Sequence, residues 1–355
     1  MRKDERSVTN ETMTMQRALA LVVGGNDLTR EEARAVMGII MSGEATDAQI
    51  GSVATALRMK GETKDEIIGF AEAMRVYSNH VHTEHEGLLD TCGTGGSGIH
   101  KFNISTASAI ITSAAGVRVA KHGNRAMTGK AGSADVLEAL GVNINLTAEQ
   151  AADCLKSIGI CFMFAQLYHP SLKHAAGPRR EIGIRTIFNM LGPLTNPAGA
   201  DRQMLGLYDR SRTETVAQVL AELGLKRAMV VSSHDGLDEI SISAPTQISE
   251  LSGGTVQTYD ITPEELGISV RPLAEVVGGD PAMNASIIRS IFDGLERGAY
   301  RDIVLANAGA CMYVGGIAPS LREGVETAAV IIDSGKAAAK LRQLVETTRE
   351  LTYVS

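Results

Sequence analysis

Apolar side chains between residues 15 and 78 recur with the period of an amphipathic helix. Three Thr-led capping boxes, at residues 29–32, 46–49 and 63–66, mark where successive helices begin. Gly61 stands where a helix is expected to end. The apolar stripes after the second and third boxes consist of Ile50, Val53 and Leu57 and of Ile67, Ile68, Phe70 and Met74. The pattern predicts a small helical unit in the N-terminal part of the chain.

A different pattern begins at residue 87, where short apolar runs alternate with helical stretches. Strands are predicted at 87–90, 117–120, 160–165, 204–208 and 228–232. Helices are predicted at 103–115, 134–140 and 213–223, after Thr262, and over 320–350. Gly253 and Gly254 separate two β-rich runs and predict an antiparallel hairpin over 246–261. The alternation indicates an α/β domain with a mostly parallel central sheet flanked by helices.

Composition narrows the classes of function. A chain of 355 residues suits two or three domains. The net charge of −7, the 4% aromatic content and the absence of Trp argue against a nucleic-acid partner. No apolar run is long enough to span a membrane, and the first residues lack the apolar core of a signal peptide. The four cysteines form no CxxC pair, which fits reduced thiols. We therefore expect a cytoplasmic enzyme.

One segment of this acidic chain contains no acid. The 44 residues between Asp90 and Asp135 include neither Asp nor Glu, although the whole chain has 41. The bases in this segment are Lys101, Arg118, Lys121, Arg125 and Lys130. A local positive field suits a small polyanionic ligand. The alternative explanation for the missing acids is that much of the segment is a buried helix and strand, which would contain few acids in any protein.

Two glycine-rich loops lie in that segment. Residues 93–98 (GTGGSG) fall between a predicted strand and a predicted helix, where backbone amides can approach phosphate oxygens. The spacing also satisfies GxGxxG, but a dinucleotide site needs an acid about 20 residues later, and residues 118–121 are basic instead. Residues 121–130 (KHGNRAMTGK) follow the next strand with charges, an amide and a hydroxyl suited to a phosphate and sugar.

Several further motifs occur in the same order as in one family. They are NIST at 103–106, GSADVLEALG at 132–141, HP at 169–170, Arg179, TIFNMLGPLTNP at 186–197 and GLDE at 236–239. With the two glycine loops, they make the chain similar to the anthranilate phosphoribosyltransferases of tryptophan biosynthesis. The resemblance extends from about residue 15 to the C-terminal helices, and this ordered set of motifs is far more specific than a lone GxGxxG.

The resemblance implies a small N-terminal helical domain hinged to a larger α/β domain, as a homodimer. We assign residues 1–14 to a polar extension, 15–83 to the helical domain with a segment near 169–187 returning to it, and 84–355 to the phosphoribosyl-binding domain. The implied reaction transfers the phosphoribosyl group of phosphoribosyl pyrophosphate (PRPP) to the amine of anthranilate and releases pyrophosphate. It requires Mg²⁺ and no protein nucleophile.

The family's site residues transfer to matched positions of this chain. The implied PRPP-binding residues are Gly93, Gly96, Ser97, Lys101, Asn103, Ile104, Ser105, Thr106, Lys121, His122, Gly123, Asn124, Arg125, Ala126, Met127, Thr128, Gly129 and Ser133. The implied anthranilate contacts are Gly93, Asn124 and Arg179, and the implied metal positions are Ser105, Asp238 and Glu239.

Two positions in the first loop depart from the family pattern. Ser97 stands where the family usually has Asp, and Lys101 where it usually has Thr or Ser. Each departure makes the loop more positive. Our hypothesis is that Lys101 reaches a PRPP phosphate oxygen and that metal dependence is altered.

Two other functions compete with the transferase. A pyrimidine-nucleoside phosphorylase would share the phosphate chemistry, but the KHGNR and GPLTNP motifs and Arg179 favour the transferase. A non-catalytic, nucleic-acid-binding relative would be expected to have a basic surface and to have lost the Asp238–Glu239 pair, whereas this chain is acidic and keeps it.

Overall fold

The structure is a computed structural model that describes residues 12–83, 86–95, 98–126 and 130–353. It begins with a bundle of four helices, α1 (Met15–Val23), α2 (Arg30–Ser42), α3 (Asp47–Lys60) and α4 (Lys64–Val76). All three capping boxes are formed, with both reciprocal hydrogen bonds at Thr29, Thr46 and Thr63. Gly61 ends α3 at φ 89°, a backbone angle that glycine adopts without strain. The predicted helical unit is confirmed.

The larger domain is built on a seven-stranded sheet. Its strands are β1 (Leu89–Gly93), β2 (Val119–Gly123), β3 (Ile160–Phe164), β4 (Arg202–Gly206), β5 (Arg227–Ser233), β6 (Thr246–Ser252) and β7 (Thr255–Ile261). They lie in the order β3-β2-β1-β4-β5-β6-β7, and the first five are parallel. β6 and β7 form the predicted antiparallel hairpin at Gly253 and Gly254. The mostly parallel α/β sheet is therefore confirmed.

Helices flank the sheet on both sides and follow its strands. They are α5 (Ile104–Ala114), α6 (Ser133–Leu140), α7 (Ala148–Ile158), α8 (Ala165–Tyr168), α9 (Lys173–Ile182), α10 (Phe188–Leu191), α11 (Thr213–Glu222), α12 (Pro281–Phe292), α13 (Ala299–Val314), α14 (Leu321–Asp333) and α15 (Lys336–Tyr353). Two strands include more of the motifs than predicted. β1 contains Gly93, and β2 runs through Lys121 to Gly123, so each motif begins inside the sheet.

The segment that follows β3 crosses to the helical bundle. In α9, Ile182 packs toward Gly51 of α3, and the His174 ring lies against Gly43 at the end of α2. The apolar core of the bundle continues from there through Phe188 and Leu191 to side chains of β4 and β5. The helical domain thus rests directly on one part of the sheet domain.

The helix predicted after Thr262 is wrong. Thr262 and Glu265 make both bonds of a capping box, yet only a turn follows. Gly267, at φ 77°, reverses the chain immediately after it. The pattern also missed α7, α9, α12 and α13 and the one-turn helices α8 and α10. α13 is buried over most of its length, so it has little of the polar face that marks an amphipathic helix. Among the described residues, no helix is both long and apolar enough to cross a membrane.

Candidate active site

The ends of the two glycine loops and the Asp238–Glu239 pair meet at one edge of the sheet. The carboxyl ends of β1, β2 and β5 lead into the first glycine loop, the second glycine loop and the Asp238–Glu239 turn. The strand order reverses direction between β1 and β4. In open parallel sheets, ligands bind outside the carboxyl ends of the strands at such a reversal.

The first loop joins β1 to the N-terminus of α5. The Thr94 amide donates to the Gly206 carbonyl at 2.9 Å, which holds the start of the loop against β4. At the other end, Asn103 precedes α5 without capping it. Its side-chain Nδ2 instead donates to the Ala131 carbonyl at 3.3 Å, and its Oδ1 accepts from Asn284 Nδ2 at 2.9 Å. Asn103 therefore connects the two glycine loops, and the positive end of the α5 dipole faces this junction.

Asp238 lies directly over the glycines at the ends of β1 and β4. A Cβ at Gly93 would be 3.1 Å from Asp238 Oδ2, and a Cβ at Gly206 would overlap the Asp238 backbone carbonyl. Glycine is required here by the close approach of a carboxylate and its backbone, not by a turn. The first glycine loop and the GLDE motif therefore form one site.

Lys101 is paired with the two acids of that motif. Its Nζ lies 2.8 Å from Asp238 Oδ1 and 2.9 Å from Glu239 Oε1. Burial disfavours the charged lysine, but Asp238 and Glu239 outweigh it, so the pKa of Lys101 is raised. Burial and the neighbouring Asp238 raise the pKa of Glu239, against the attraction of Lys101.

Asp135 closes the second glycine loop. Its Oδ2 accepts from the Gly132 amide at 2.8 Å and from the Ala126 amide at 3.1 Å. Gly132 is tightly enclosed, since a Cβ there would be 2.5 Å from the Asn124 carbonyl oxygen. Ser133 donates to that same carbonyl at 3.3 Å. One carboxylate of α6 thus fixes both sides of the loop.

Arg125 faces α6 and not the loop interior. Its guanidinium pairs with Asp135 at 2.8 Å and with Glu138 at 2.5 Å, and lies over the Phe164 ring. These acids raise its pKa. Its positive charge is therefore already balanced within the protein.

Lys121 is the buried base of the site. Its ammonium donates to the Thr91 carbonyl and, at 3.3 Å, to Ser105 Oγ. This contact links β2 to the first turn of α5. Beside it, Asp90 Oδ1 accepts from the His122 amide at 3.1 Å, and burial raises the pKa of Asp90 despite the charge of Lys121.

His122 brings no positive charge to the site. Its ring is buried against the ring of His169, with 5.0 Å between the centroids. Burial first, and the neighbouring His169 second, lower the pKa of His122 to about 3. Burial lowers the pKa of His169 to about 4. Both rings are neutral at pH 7, so His122 can serve a phosphate only through neutral polar contacts.

Arg179 lies on α9, apart from the glycine loops. Its guanidinium stacks over the Phe188 ring at 5.6 Å, and burial lowers its pKa. Within the described parts of the chain, no carboxylate pairs with it. A half-buried guanidinium beside an aromatic ring, with no protein acid, suits a planar ligand that carries a carboxylate.

The remaining candidates differ in what they expose. Ile104 and Thr106 have side chains buried in the core, so they offer a ligand their backbone alone. Asn124 Oδ1 accepts from the amide of Arg125 at 2.8 Å. The candidates Gly96, Ser97, Met127, Thr128 and Gly129 lie outside the described residues.

Sequence reasoning missed several residues around the site. The Tyr208 amide donates to Thr94 Oγ1 at 3.4 Å, and its ring is covered by the Arg185 guanidinium at 4.5 Å. Its position directly after β4 was the available signal. Asn284 and Asp135 were missed because their partners are set by contacts between separate elements.

Two family models match the chain. Residues 85–338 match the glycosyl transferase family α/β domain, and residues 16–78 match the helical bundle domain of that family. Across the described residues, no group of three or more His, Cys, Asp or Glu side chains is arranged to hold a metal ion. Any metal at Asp238 and Glu239 would therefore need further oxygen atoms from hydroxyl or carbonyl groups, a ligand or water.

Curated relatives and solved structures cover nearly the whole chain. The anthranilate phosphoribosyltransferase of Brevibacillus brevis is 53% identical over 92% of this chain and 96% of its own length. The enzyme of Thioalkalivibrio sulfidiphilus is 51% identical over 95% of this chain and 99% of its own length. The crystal structure of the Thermus thermophilus enzyme is 39% identical, with a TM-score of 0.88 over 94% of this chain and 99% of that one. The Saccharomyces cerevisiae enzyme, solved with PRPP and Mg, is 24% identical and covers 95% of this chain and 98% of its own. Its TM-score of 0.86 shows that the two proteins share a fold.

Proposed function

The chain belongs to the anthranilate phosphoribosyltransferase family, and we propose that it transfers the phosphoribosyl group of PRPP to the amine of anthranilate, in tryptophan biosynthesis. The products are N-(5-phosphoribosyl)anthranilate and pyrophosphate. One observation carries the proposal: both glycine loops, a buried lysine and two buried carboxylates meet at the strand reversal of the sheet.

PRPP occupies the two glycine loops in this proposal. The N-terminus of α5 supplies backbone amides for phosphate oxygens, and Asn103 and Ser105 add a side-chain amide and a hydroxyl. Lys121 adds a buried positive charge next to Ser105. Asn124 and Ser133 belong to the second loop, which Asp135 keeps closed. The site thus binds the doubly phosphorylated sugar by positioned donors.

Asp238, Glu239 and Ser105 would hold magnesium. Hard carboxylate and hydroxyl oxygens are the donors that Mg²⁺ prefers, and both carboxylates are buried beside the first loop. Bound Mg²⁺ would supply positive charge to the pyrophosphate oxygens as the leaving group departs. The yeast enzyme was solved in complex with PRPP and Mg, which supports a role for Mg²⁺ in this reaction.

Anthranilate is bound by its carboxylate. Arg179 offers a guanidinium with no acid partner in the described residues, and Gly93 and Asn124 are the other implied contacts. The anilinic amine is neutral at pH 7 and attacks the ribosyl carbon, which becomes cationic as pyrophosphate leaves. No protein nucleophile is needed, because the amine itself forms the new bond and positioning lowers the barrier.

The proposal extends to assembly and location. We place the domain division at 15–83 and 84–355, with 169–187 returning to the helical domain and 1–14 as an extension. A homodimer through the helical domain is supported by exposed apolar side chains of that domain, Val23, Met59 and Val76. The pathway and the four free thiols support a cytoplasmic location.

The test is loss of anthranilate fluorescence with PRPP and Mg²⁺, together with pyrophosphate release. Both signals are expected, and both should vanish without PRPP. Lys121→Met should abolish turnover, whereas Lys130→Met, at an exposed lysine of the same loop, should keep most of it. Thymidine cleavage by phosphate without PRPP turnover would establish the phosphorylase instead. Retention of single-stranded DNA on a filter, without turnover, would establish the binding relative.

A further inference from the structure

The Lys101 ammonium occupies the space between the two carboxylates that the proposed function assigns to magnesium. Three oxygen atoms surround its Nζ: Asp238 Oδ1 at 2.8 Å, Glu239 Oε1 at 2.9 Å and the Asp238 carbonyl at 3.3 Å. The two carboxylate side chains are only 2% and 8% exposed, and the lysine side chain 18%. The ammonium donates hydrogen bonds to Glu239 Oε1 and to the Asp238 carbonyl, and Asp238 Oδ1 forms an ion pair with it.

The backbone of Lys101 is held in place for this contact. Residue 101 pairs with Val277 in an isolated antiparallel bridge, and the Gly278 amide donates to the His100 carbonyl at 2.9 Å. A Cβ at Gly278 would be 2.5 Å from the Phe102 amide nitrogen. The backbone on both sides of Lys101 is therefore held against residues 277 and 278, so that the lysine side chain reaches the two acids from a fixed position.

We propose that the Lys101 ammonium takes the place of a divalent cation at Asp238 and Glu239, so that this pair does not bind Mg²⁺ in the free protein. The inference rests on the proposed function, which makes these the metal carboxylates. Lys101 is one of the two positions where the chain departs from the pattern of the family it resembles, which usually has an uncharged Thr or Ser there.

The charges of the site explain why the metal is excluded. Two carboxylates carry a formal charge of −2, and the ammonium reduces it to −1. A divalent cation would have to displace the Lys101 ammonium from the buried carboxylates. Otherwise it would bind a site whose net negative charge the ammonium has halved. No third acid among the described residues could compensate. In the free protein, Lys101 provides the positive charge at this pair, beside the first glycine loop.

The test is Mn²⁺ binding to the full chain without PRPP or anthranilate, followed by the electron paramagnetic resonance signal of free Mn²⁺. Wild type should show no site that depends on Asp238. Lys101→Thr and Lys101→Met should gain one Mn²⁺ site per chain, at least about tenfold tighter than any wild-type site. Lys226→Met is the matched control, because Lys226 also lies between two acids, Asp201 at 3.2 Å and Glu86 at 3.6 Å, but is exposed. It should gain no such site.

Equal Mn²⁺ affinity, within twofold, in wild type and both folded Lys101 variants overturns the inference. If circular dichroism shows that neither Lys101 variant folds, Mn²⁺ binding by wild type is compared with that by Asp238→Asn. Tight stoichiometric Mn²⁺ binding that Asp238→Asn removes overturns the inference, and unchanged weak binding in both supports it. The titration contains no substrate, so it still reports on Lys101 if the fluorescence assay shows that the proposed transferase reaction is absent.

Discussion

The Arg212 guanidinium donates to Glu62 Oε2 at 2.6 Å and to the Glu62 carbonyl at 3.0 Å. Glu62 lies between α3 and α4 of the helical bundle, whereas Arg212 lies at the start of α11 in the sheet domain. Arg75 of α4 adds a parallel connection, since it donates to the Leu194 carbonyl at 2.9 Å and the Leu223 carbonyl at 3.0 Å. Two arginines thus fasten the bundle to the sheet domain.

Arg212→Ala is expected to lower the free energy of unfolding by about 3 kcal/mol, because it leaves the buried Glu62 carboxylate without its partner. Urea-induced unfolding measures the change. The control is Arg210→Ala, at an exposed arginine two residues earlier, with an expected effect below about 0.5 kcal/mol. Equal stability of the two variants would show that the pair does not hold the domains together.

Arg179→Ala is expected to raise the KM for anthranilate roughly 10- to 100-fold, because a charge-assisted contact to the substrate carboxylate is lost. The KM for PRPP should change little. Steady-state kinetics with each substrate varied in turn give both values. Arg180, the exposed neighbour of Arg179, provides the control Arg180→Ala. A rise in the PRPP KM alone would remove Arg179 from the anthranilate site.

Asp135→Ala is expected to raise the KM for PRPP about tenfold, because the amides of Ala126 and Gly132 lose their common acceptor and the second loop opens. Glu138→Ala also removes an acid from Arg125, but it leaves the two backbone contacts intact. It should change the PRPP KM by less than about twofold. The same effect from both variants would mean that Arg125, and not the loop closure, determines PRPP affinity.

Stability should fall as the pH is lowered below about 6.5. The folded-state pKa values of His122 and His169 are lowered to about 3 and about 4, so the unfolded chain takes up these protons first. Each ring should cost about 2 kcal/mol between pH 7.5 and pH 5. Urea unfolding at the two pH values measures the loss.

The His169→Gln variant should lose about 2 kcal/mol less over the same interval. An identical loss in wild type and His169→Gln would show that His169 is not held neutral by burial.

Short-range sequence patterns were enough to predict the local structure and the two glycine loops. The capping boxes at Thr29, Thr46 and Thr63 act within four residues, so their effect is visible in the pattern. The strand alternation and the two glycine loops are likewise local. The ends of β1 and β2 were each predicted three residues early, since pairing with neighbouring strands decides where these strands stop. At Thr262 a formed capping box did not produce a helix, because Gly267 turns the chain.

The partners of the charged groups depend on contacts between residues far apart in the sequence. Lys101 stood out in the sequence as an added positive charge, yet its acids are 137 and 138 residues away, and no local pattern connects them. The same holds for Asp135 as the closure of a loop, for Arg125 as a neutralised charge and for His122 as a neutral ring. An ion pair or a desolvated ring depends on which elements pack together, and that is a property of the assembled sheet and helices and not of any short stretch of chain.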